Sequence, residues 1–290
     1  MDPIRIGIIG GSGLYRMDGL TDTREHVMDT PFGAPSDALL LGKLGGVDVA
    51  FLARHGRGHS LIPGQIPFRA NIYAMKALGV QYLLSVSAVG SLREEIAPLD
   101  MVLPDQFIDF TRKREGSFFG DGAVAHVSLA DSVCSALRRV LGQAYADAKF
   151  SGIHLHDSGT YVCIEGPAFS TRAESNWYRS LGASVIGMTN MPEARLAREA
   201  EIAYATLALA TDWDCWHPHQ ACVTAELAIV NLQANARRAQ TLLGHAVRLI
   251  ATAWPVSAAH TALGAALVTP PSAMTPEVRT RLHALVSRFL

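Results

Sequence analysis

The run Ala203-Tyr-Ala-Thr-Leu-Ala-Leu-Ala-Thr-Asp212-Trp-Asp214-Cys-Trp216 decides the fold. A stretch this apolar reads as a strand covered on both faces, so it belongs to a sheet sandwiched by helices. Ligands of open α/β sheets sit beyond the carboxyl ends of such strands. Two carboxylates there, flanked by Trp213 and Trp216, suit a flat ligand that offers N–H donors. A protonated carboxyl can also pass a proton to a ring nitrogen. An adenine base meets both descriptions. An isolated Asp-x-Asp is ordinarily a solvated loop, but the rest of the chain favours a site.

The same strand-then-loop rhythm recurs. Arg5–Ile9 precedes Gly10-Gly11-Ser12-Gly13, and Asp48–Ala53 precedes Arg54-His55-Gly56-Arg57-Gly58-His59. Tyr82–Val86 leads into Ser87-Ala88-Val89-Gly90-Ser91, read as a strand-end turn. Short strands are also expected at Met101–Leu103 and Phe107–Ile108. Tyr161–Ile164 leads into Glu165-Gly-Pro-Ala-Phe169-Ser170, and Val185–Met188 into Thr189-Asn190. Helices are expected over Phe68–Leu78 with Gly79 as the stop, over Leu129–Ala148, and over Ser170–Leu181 ending at Gly182. Another starts at Thr189-Asn190 with Pro192 and Glu193 in its first turn, and a long one spans Thr224–Ala251. Residues 111–125 read as a polar loop, and residues 253–274 have no clear pattern. Thr275-Pro276 opens a last amphipathic helix carrying Val278, Leu282, Leu285, Val286 and Phe289. No boundary divides the chain into two cores, which predicts a single α/β domain.

Composition sets bounds. With 49% hydrophobic and 18% charged residues in a chain of 290, a large core is expected and intrinsic disorder is excluded. A net charge of −1 leaves no electrostatic footprint for nucleic acid or an anionic membrane. Cys134, Cys163, Cys215 and Cys222 lack metal-ligand spacing and read as reduced, packed thiols of a cytoplasmic protein. The first apolar stretch is interrupted early by glycines and reads as a strand, not a secretory leader.

The loops after the strands carry chemistry. Gly10-Gly11-Ser12-Gly13 matches neither the dinucleotide fingerprint nor the P-loop, since Arg16 follows and no Gly-Lys-Ser/Thr is present. What remains is a tight turn whose N–H groups and Ser12 hydroxyl suit one anion. Arg54 offers bidentate donors and His55 a switchable proton. Ser87-Ala88 adds a hydroxyl and free N–H groups, and Thr189 sits at a helix N-terminus. Together they specify a small tetrahedral anion with no metal beside it. Phe169 and Ser170 add an aromatic face and a hydroxyl, or alternatively a core ring and a helix cap. Met188 suits a sugar face or the core, and His126 is isolated in a loop.

These residues lie in stretches that resemble the 5′-methylthioadenosine phosphorylases, a branch of the trimeric purine nucleoside phosphorylases. The resemblance rests on Ile6-Gly-Ile-Ile-Gly-Gly-Ser-Gly-Leu14, Thr30-Pro-Phe-Gly-Ala-Pro-Ser36, Leu52-Ala-Arg-His-Gly-Arg57 and Gly90-Ser-Leu-Arg-Glu-Glu95. It extends through Phe107-Ile-Asp109, Glu165-Gly-Pro167, Ser170-Thr-Arg-Ala-Glu-Ser175, Met188-Thr189, Pro192-Glu193 and Ala210–Trp216. It implies a nucleoside-phosphorylase-like domain over residues 1–252, with a central mixed sheet flanked by helices. Residues 253–290 would form a C-terminal extension packed on the same domain or on a neighbouring subunit.

The resemblance also implies roles. Ser12, Arg54, His55, Ser87, Ala88 and Thr189 would bind phosphate, with Ser12 and Ser87 replacing threonines common in relatives. Phe169 would pack on the base and Ser170 would bond near it. Asp212 would face N7 as the general acid, and Asp214 the 6-amino group. Met188 would line the ribose. Ala225, Ala228 and Ile229 would face the 5′ group, where relatives often have valines at the first two positions. His126 would reach into a neighbour's site. The implied reaction is phosphorolysis of 5′-methylthioadenosine to adenine and 5-methylthioribose 1-phosphate, a salvage step. Phosphate is a co-substrate, no cofactor or metal is expected, and the partner is a second copy of the chain, as a trimer or a hexamer. Alternatives are a phosphorylase for methylthioinosine or another purine nucleoside, a hydrolytic nucleosidase, and a non-catalytic nucleoside sensor.

Overall fold

The structure is a computed structural model that describes residues 4–11, 14, 17, 19–219 and 224–290. Ser12 and Cys222 lie outside the described residues. The strands are β1 (Ile6–Gly10), β2 (Leu20–His26), β3 (Leu39–Leu44), β4 (Val47–Ala53), β5 (Tyr82–Ser91) and β6 (Met101–Val102). They continue with β7 (Gln106–Asp109), β8 (Leu155–His156), β9 (Thr160–Cys163), β10 (Val185–Gly187) and β11 (Ala203–Asp212). The helices are α1 (Phe68–Ala77), α2 (Ser135–Ala148), α3 (Arg172–Ser180), α4 (Asn190–Glu199), α5 (Ala225–Ala253), α6 (Pro276–Arg281) and α7 (His283–Val286).

One mixed sheet runs in the order β2-β3-β4-β1-β5-β10-β9-β7, and β11 pairs with the other edge of β5. Every residue of β11 is buried, as its apolar run requires. Helices α2 and α5 pack together against β11, while α1, α4 and α7 cover the opposite side. This is the α/β fold expected from the sequence.

The centre of the fold is β5. Along one edge it pairs with β11 from Tyr82 to Gly90. Along the other it pairs with β1 only as far as Ser85, and with β10 only at Gly90 and Ser91. Residues 86–89 therefore face a gap between two diverging strands. Ser87-Ala88 is not a turn after a strand, as the sequence suggested, but the middle of a ten-residue strand. Polar Ser87 and Gly90 look like strand breakers, yet β11 holds them extended.

Other boundaries moved for local reasons. Helix α2 starts at Ser135, not Leu129, because residues 129–134 turn to bring the Cys134 N–H to the Tyr204 carbonyl. Helix α3 is capped by Thr171 instead of Ser170, and a capping box with Glu174 closes its first turn. The single C-terminal helix expected from Thr275 onward is two short helices, parted at Leu282. Leu282, Leu285 and Val286 are buried in the chain's own core. Arg288 clamps that tail through Glu201, at 2.8 Å and 2.5 Å. Strands β2 and β3 had no assignment from the sequence. The exposed, charged Leu-Thr-Asp-Thr-Arg-Glu-His of β2 is a protected sheet edge, without the apolar alternation that reveals a strand.

Candidate active site

A cavity of about 510 Å³ lies at the gap in the sheet. It is lined by Arg54, His55, Ser87, Ala88 and Thr189, by Phe169, Ser170 and Met188, by Asp212 and Asp214, and by Ala225, Ala228 and Ile229. Gly11 lines it too, next to the undescribed Ser12. His126 does not line this cavity; it is exposed, and its N–H donates to the Ala266 carbonyl at 2.8 Å. His59, Ile62 and Pro63 also line the wall. His59 stands in the quoted loop after β4, but nothing in its spacing marked it as a wall residue.

Close backbone approach shapes the anion end. A side chain at Gly11 would meet the Val86 carbonyl at 2.7 Å and Arg54 Nη1 at 3.0 Å, so only glycine fits there. Arg54 leaves the end of β4 fully buried. Its Nε donates to Glu193 Oε2 at 2.7 Å and its Nη2 to Glu193 Oε1 at 3.0 Å. Nη2 also donates to Ser85 Oγ at 2.6 Å, and Nη1 to the Val86 carbonyl at 2.9 Å. Burial alone would lower the guanidinium pKa, but the Glu193 charge and hydrogen bond outweigh it and raise the pKa. Ser87 Oγ lies 3.1 Å from Tyr161 OH and 3.2 Å from Thr189 Oγ1. Gly187 makes room for that Tyr161 hydroxyl, since a Cβ there would overlap it at 1.9 Å. Thr189 precedes α4, but its hydroxyl serves Ser87 and makes no capping bond.

His55 differs from its expected role as a proton switch. Its Nδ1 lies 2.9 Å from the Leu61 carbonyl, which can only accept, so Nδ1 carries the hydrogen. Burial, with nearby Arg54 adding to it, lowers its pKa to about 4. The ring is neutral near pH 7, and Nε2 is an acceptor.

The acid end depends on a break in strand register. Asp212 pairs opposite Gly90 after a bulge at Thr211. A side chain at Gly90 would sit 3.0 Å from Asp212 Oδ1 and 3.3 Å from Asp214 Cβ. Asp214 takes a left-handed φ of 50°, a conformation Asp tolerates. Asp212 Oδ1 accepts the Asp214 N–H at 2.8 Å. Thr211 Oγ1 lies 2.7 Å from Asp212 Oδ2 and 3.2 Å from the Val89 carbonyl. The hydroxyl can donate to the ionised acid, or accept from the protonated acid while donating to Val89. Either protonation state is thus satisfied.

Burial pushes the Asp212 carboxyl up to about 6, with the Asp214 charge a lesser contribution in the same direction. Burial also raises Asp214. The tryptophans play no direct part in the cavity. Trp216 turns back to the sheet, donates to the Ser91 carbonyl at 2.7 Å and packs under Arg179. Trp213 stacks edge-on against Trp216. The left-handed turn at Asp214 redirects the chain away from the cavity, which pattern reading could not foresee.

Ser170 Oγ is buried without a protein partner, because Thr171 takes over the capping role. Half-exposed Phe169 and Ile229 stand at the cavity wall. Met188 fills the space over Gly166, where a Cβ would lie 2.5 Å from its sulfur. Arg114, absent from the sequence reading, pins this region from behind. It donates to the carbonyls of Met188 and Met191, each at 2.7 Å, and pairs with Glu165 at 3.0 Å. Among the described residues, no cluster of His, Cys, Asp or Glu is placed to hold a metal ion.

Residues 5–248 match the family model described as the phosphorylase superfamily, and the chain belongs to that family. Its relatives define a narrower class. The S-methyl-5′-thioadenosine phosphorylase of Thermosynechococcus vestitus is 59% identical over 99% of both chains. That of Chloroflexus aurantiacus is 51% identical over 100% of this chain and 99% of the relative. A methylthioadenosine phosphorylase crystal structure from an Antarctic soil metagenomic library has a TM-score of 0.94 at 60% identity, covering 98% of this chain and 99% of that one. The Schistosoma mansoni methylthioadenosine phosphorylase in complex with adenine has a TM-score of 0.82 at 35% identity, covering 86% and 92%.

The raised Asp212 carboxyl has a consequence for stability. The folded state keeps a proton that the unfolded chain has already released, so stability falls as pH rises from about 3.8 towards about 6. Asp212→Asn abolishes that loss. Thermal unfolding should therefore show the variant gaining on the wild type between pH 4 and pH 7. An offset that does not change with pH would contradict the assignment.

Proposed function

We propose that this chain catalyses the phosphorolysis of 5′-methylthioadenosine to adenine and 5-methylthioribose 1-phosphate. The observation that carries the reading is the cavity itself. An anion-binding end built from Arg54, Ser87 and Thr189 meets a desolvated pair of acids, Asp212 and Asp214, in one space. The names of the relatives support the same substrate.

Phosphate enters as a second substrate, and the chemistry requires no cofactor. The C1′–N9 bond stretches first and leaves positive charge on the ribose. Phosphate held by Arg54, Ser87, Thr189 and the undescribed Ser12 stabilises that charge, and its oxygen then bonds to C1′. This is catalysis by placement and electrostatics. Neutral His55 accepts a hydrogen from the P–OH of monohydrogen phosphate. Protonated Asp212 gives its proton to N7, so adenine leaves neutral. Asp214 accepts from the 6-amino group, Ser170 bonds beside the base, Phe169 covers it, and Met188 lines the sugar. A 6-oxopurine would set its carbonyl against Asp214, at a cost of about 1–3 kcal/mol for unpaired acceptors. Adenine is therefore favoured over hypoxanthine.

Initial rates of adenine release, with and without phosphate, test this reading. Release should depend strictly on phosphate. Asp212→Asn should lower turnover of the adenine nucleoside about 100-fold or more while raising relative activity on 6-oxopurine nucleosides. Equal rates without phosphate would mark a hydrolase, and an unchanged base preference would refute the acid roles.

The active unit is read as a homo-oligomer, most simply a trimer, working in the cytoplasm. Exposed Val124 and Val268 flank His126 and the Ala125–Leu267 bridge, forming an apolar patch beside a histidine that its own cavity does not use. Burial of Cys134 and Cys163 as free thiols accords with a reducing compartment. None of the described helices is long and apolar enough to cross a membrane. Sedimentation under assay conditions should show an oligomer; a fully active monomer would refute the shared site.

The 5′ end of the cavity is read as the part lined by Ala225, Ala228 and Ile229. Ala225 and Ala228 contribute only methyl groups to the wall. Leu285 is buried in the chain's own core and Phe289 packs partly buried against it, which supports an open pocket over one filled by a neighbour's tail. Each apolar carbon missing from a contact forgoes about 0.8 kcal/mol. Longer 5′-alkylthio chains should gain room that the methylthio group leaves empty. The expected kcat/KM for 5′-butylthioadenosine lies within about tenfold of that for the methylthio substrate. A larger loss would mean a closed pocket.

A further inference from the structure

Among the described residues Arg54 is the only fully buried arginine, and its side chain is almost wholly committed before any ligand arrives. A guanidinium has five N–H donors. Four are engaged by Glu193, Ser85 and the Val86 carbonyl. The one left without a partner among the described residues belongs to Nη1, the nitrogen beside Gly11 and the cavity. Glu193 is equally committed. Its Oε1 accepts from Arg54, from Ser85 Oγ at 2.7 Å and from Tyr204 OH at 2.8 Å. Asn190 Nδ2 continues the network to Ser85, Tyr204 and Thr206.

The network joins the elements that meet at the anion end. Glu193 lies one turn into α4, just beyond Thr189, whose hydroxyl bonds Ser87. Arg54 follows β4, and Ser85 and Val86 belong to β5. Without the carboxylate, the guanidinium would lose two of its four anchoring bonds and the counter-charge beside it. With it, the fork is fixed in one plane, and its charge is balanced in a site that must also release phosphate esters.

We infer that Glu193 is a positioning residue for the reaction proposed above: it fixes the Arg54 guanidinium so that a single Nη1 N–H faces the phosphate. The inference rests on that reading, and the experiment separates the two. Phosphate dependence of the wild type tests the reaction alone. Given that dependence, Glu193→Gln keeps the shape of the side chain and removes its charge. Its KM for phosphate should rise about tenfold or more, with the KM for the nucleoside and kcat at saturating phosphate changing less than about threefold. In an Arg54→Met background, Glu193→Gln should add no further change in phosphate KM, because the group it positions is gone. A folded Glu193→Gln enzyme with an unaltered phosphate KM overturns the inference. So does an equal effect in the Arg54→Met background. Should Glu193→Gln not fold, Ser85→Ala decides: it removes one bond to Nη2 and one to Glu193 and leaves the ion pair. A selective rise in phosphate KM there supports the positioning role, and no change overturns it.

Discussion

Strand β5 is paired from Tyr82 to Gly90 along one edge and only at the two ends of the other, and the site follows from that constraint. Buried backbone groups need partners. Where β1 has ended and β10 has not begun, Arg54 supplies one partner by donating to the Val86 carbonyl. An arginine carried into a core must itself be neutralised, and Glu193 does this from α4. The anion end is therefore a repair of a sheet defect, made by a charge pair that reaches the cavity with one donor to spare. Breaking such a pair from one side typically costs about 3–5 kcal/mol. Arg54→Ala should accordingly perturb folding as well as phosphate binding, whereas the sequence alone treated Arg54 as a simple strand-end ligand.

At the acid end, burial works in the opposite sense. No cation among the described residues balances Asp212, so desolvation raises its pKa and keeps a proton within reach of neutral pH. Two charged groups on adjacent parts of one sheet thus receive opposite treatment. Arg54 is held cationic by a neighbouring carboxylate, and Asp212 is pushed towards neutrality by its apolar setting. Such a division suits the proposed phosphorolysis, which needs a cation for phosphate and a proton for the leaving base.

Much of this was legible in the sequence. The apolar run of β11 revealed a doubly covered strand, and its terminal acids marked the site. Arg54 and His55 after β4, Phe169 and Ser170 after β9, and Met188 and Thr189 after β10 all line the cavity, because polar and aromatic residues at strand ends are legible in the sequence, whereas Ser12 after β1 lies outside the described residues. Other features were hidden for physical reasons. Glu193 looked like an ordinary first-turn acid, since its partner lies 139 residues away in the chain. Ser87-Ala88 imitated a turn because β11, not local propensity, holds it extended. Trp213 and Trp216 suggested a stacking wall, but the left-handed φ of Asp214 sends them elsewhere. Neutral His55 could not be inferred, as its state depends on burial and on the Leu61 carbonyl.

The proposed reaction requires phosphate bound beside Arg54 to become part of the product. Phosphorus NMR of the enzyme turning over 5′-methylthioadenosine in phosphate buffer measures this directly. A sugar 1-phosphate ester resonance should grow in step with adenine, with inorganic phosphate consumed one for one. Adenine accumulating while the phosphate signal stays constant would show that water attacks C1′, and the anion end would need another explanation.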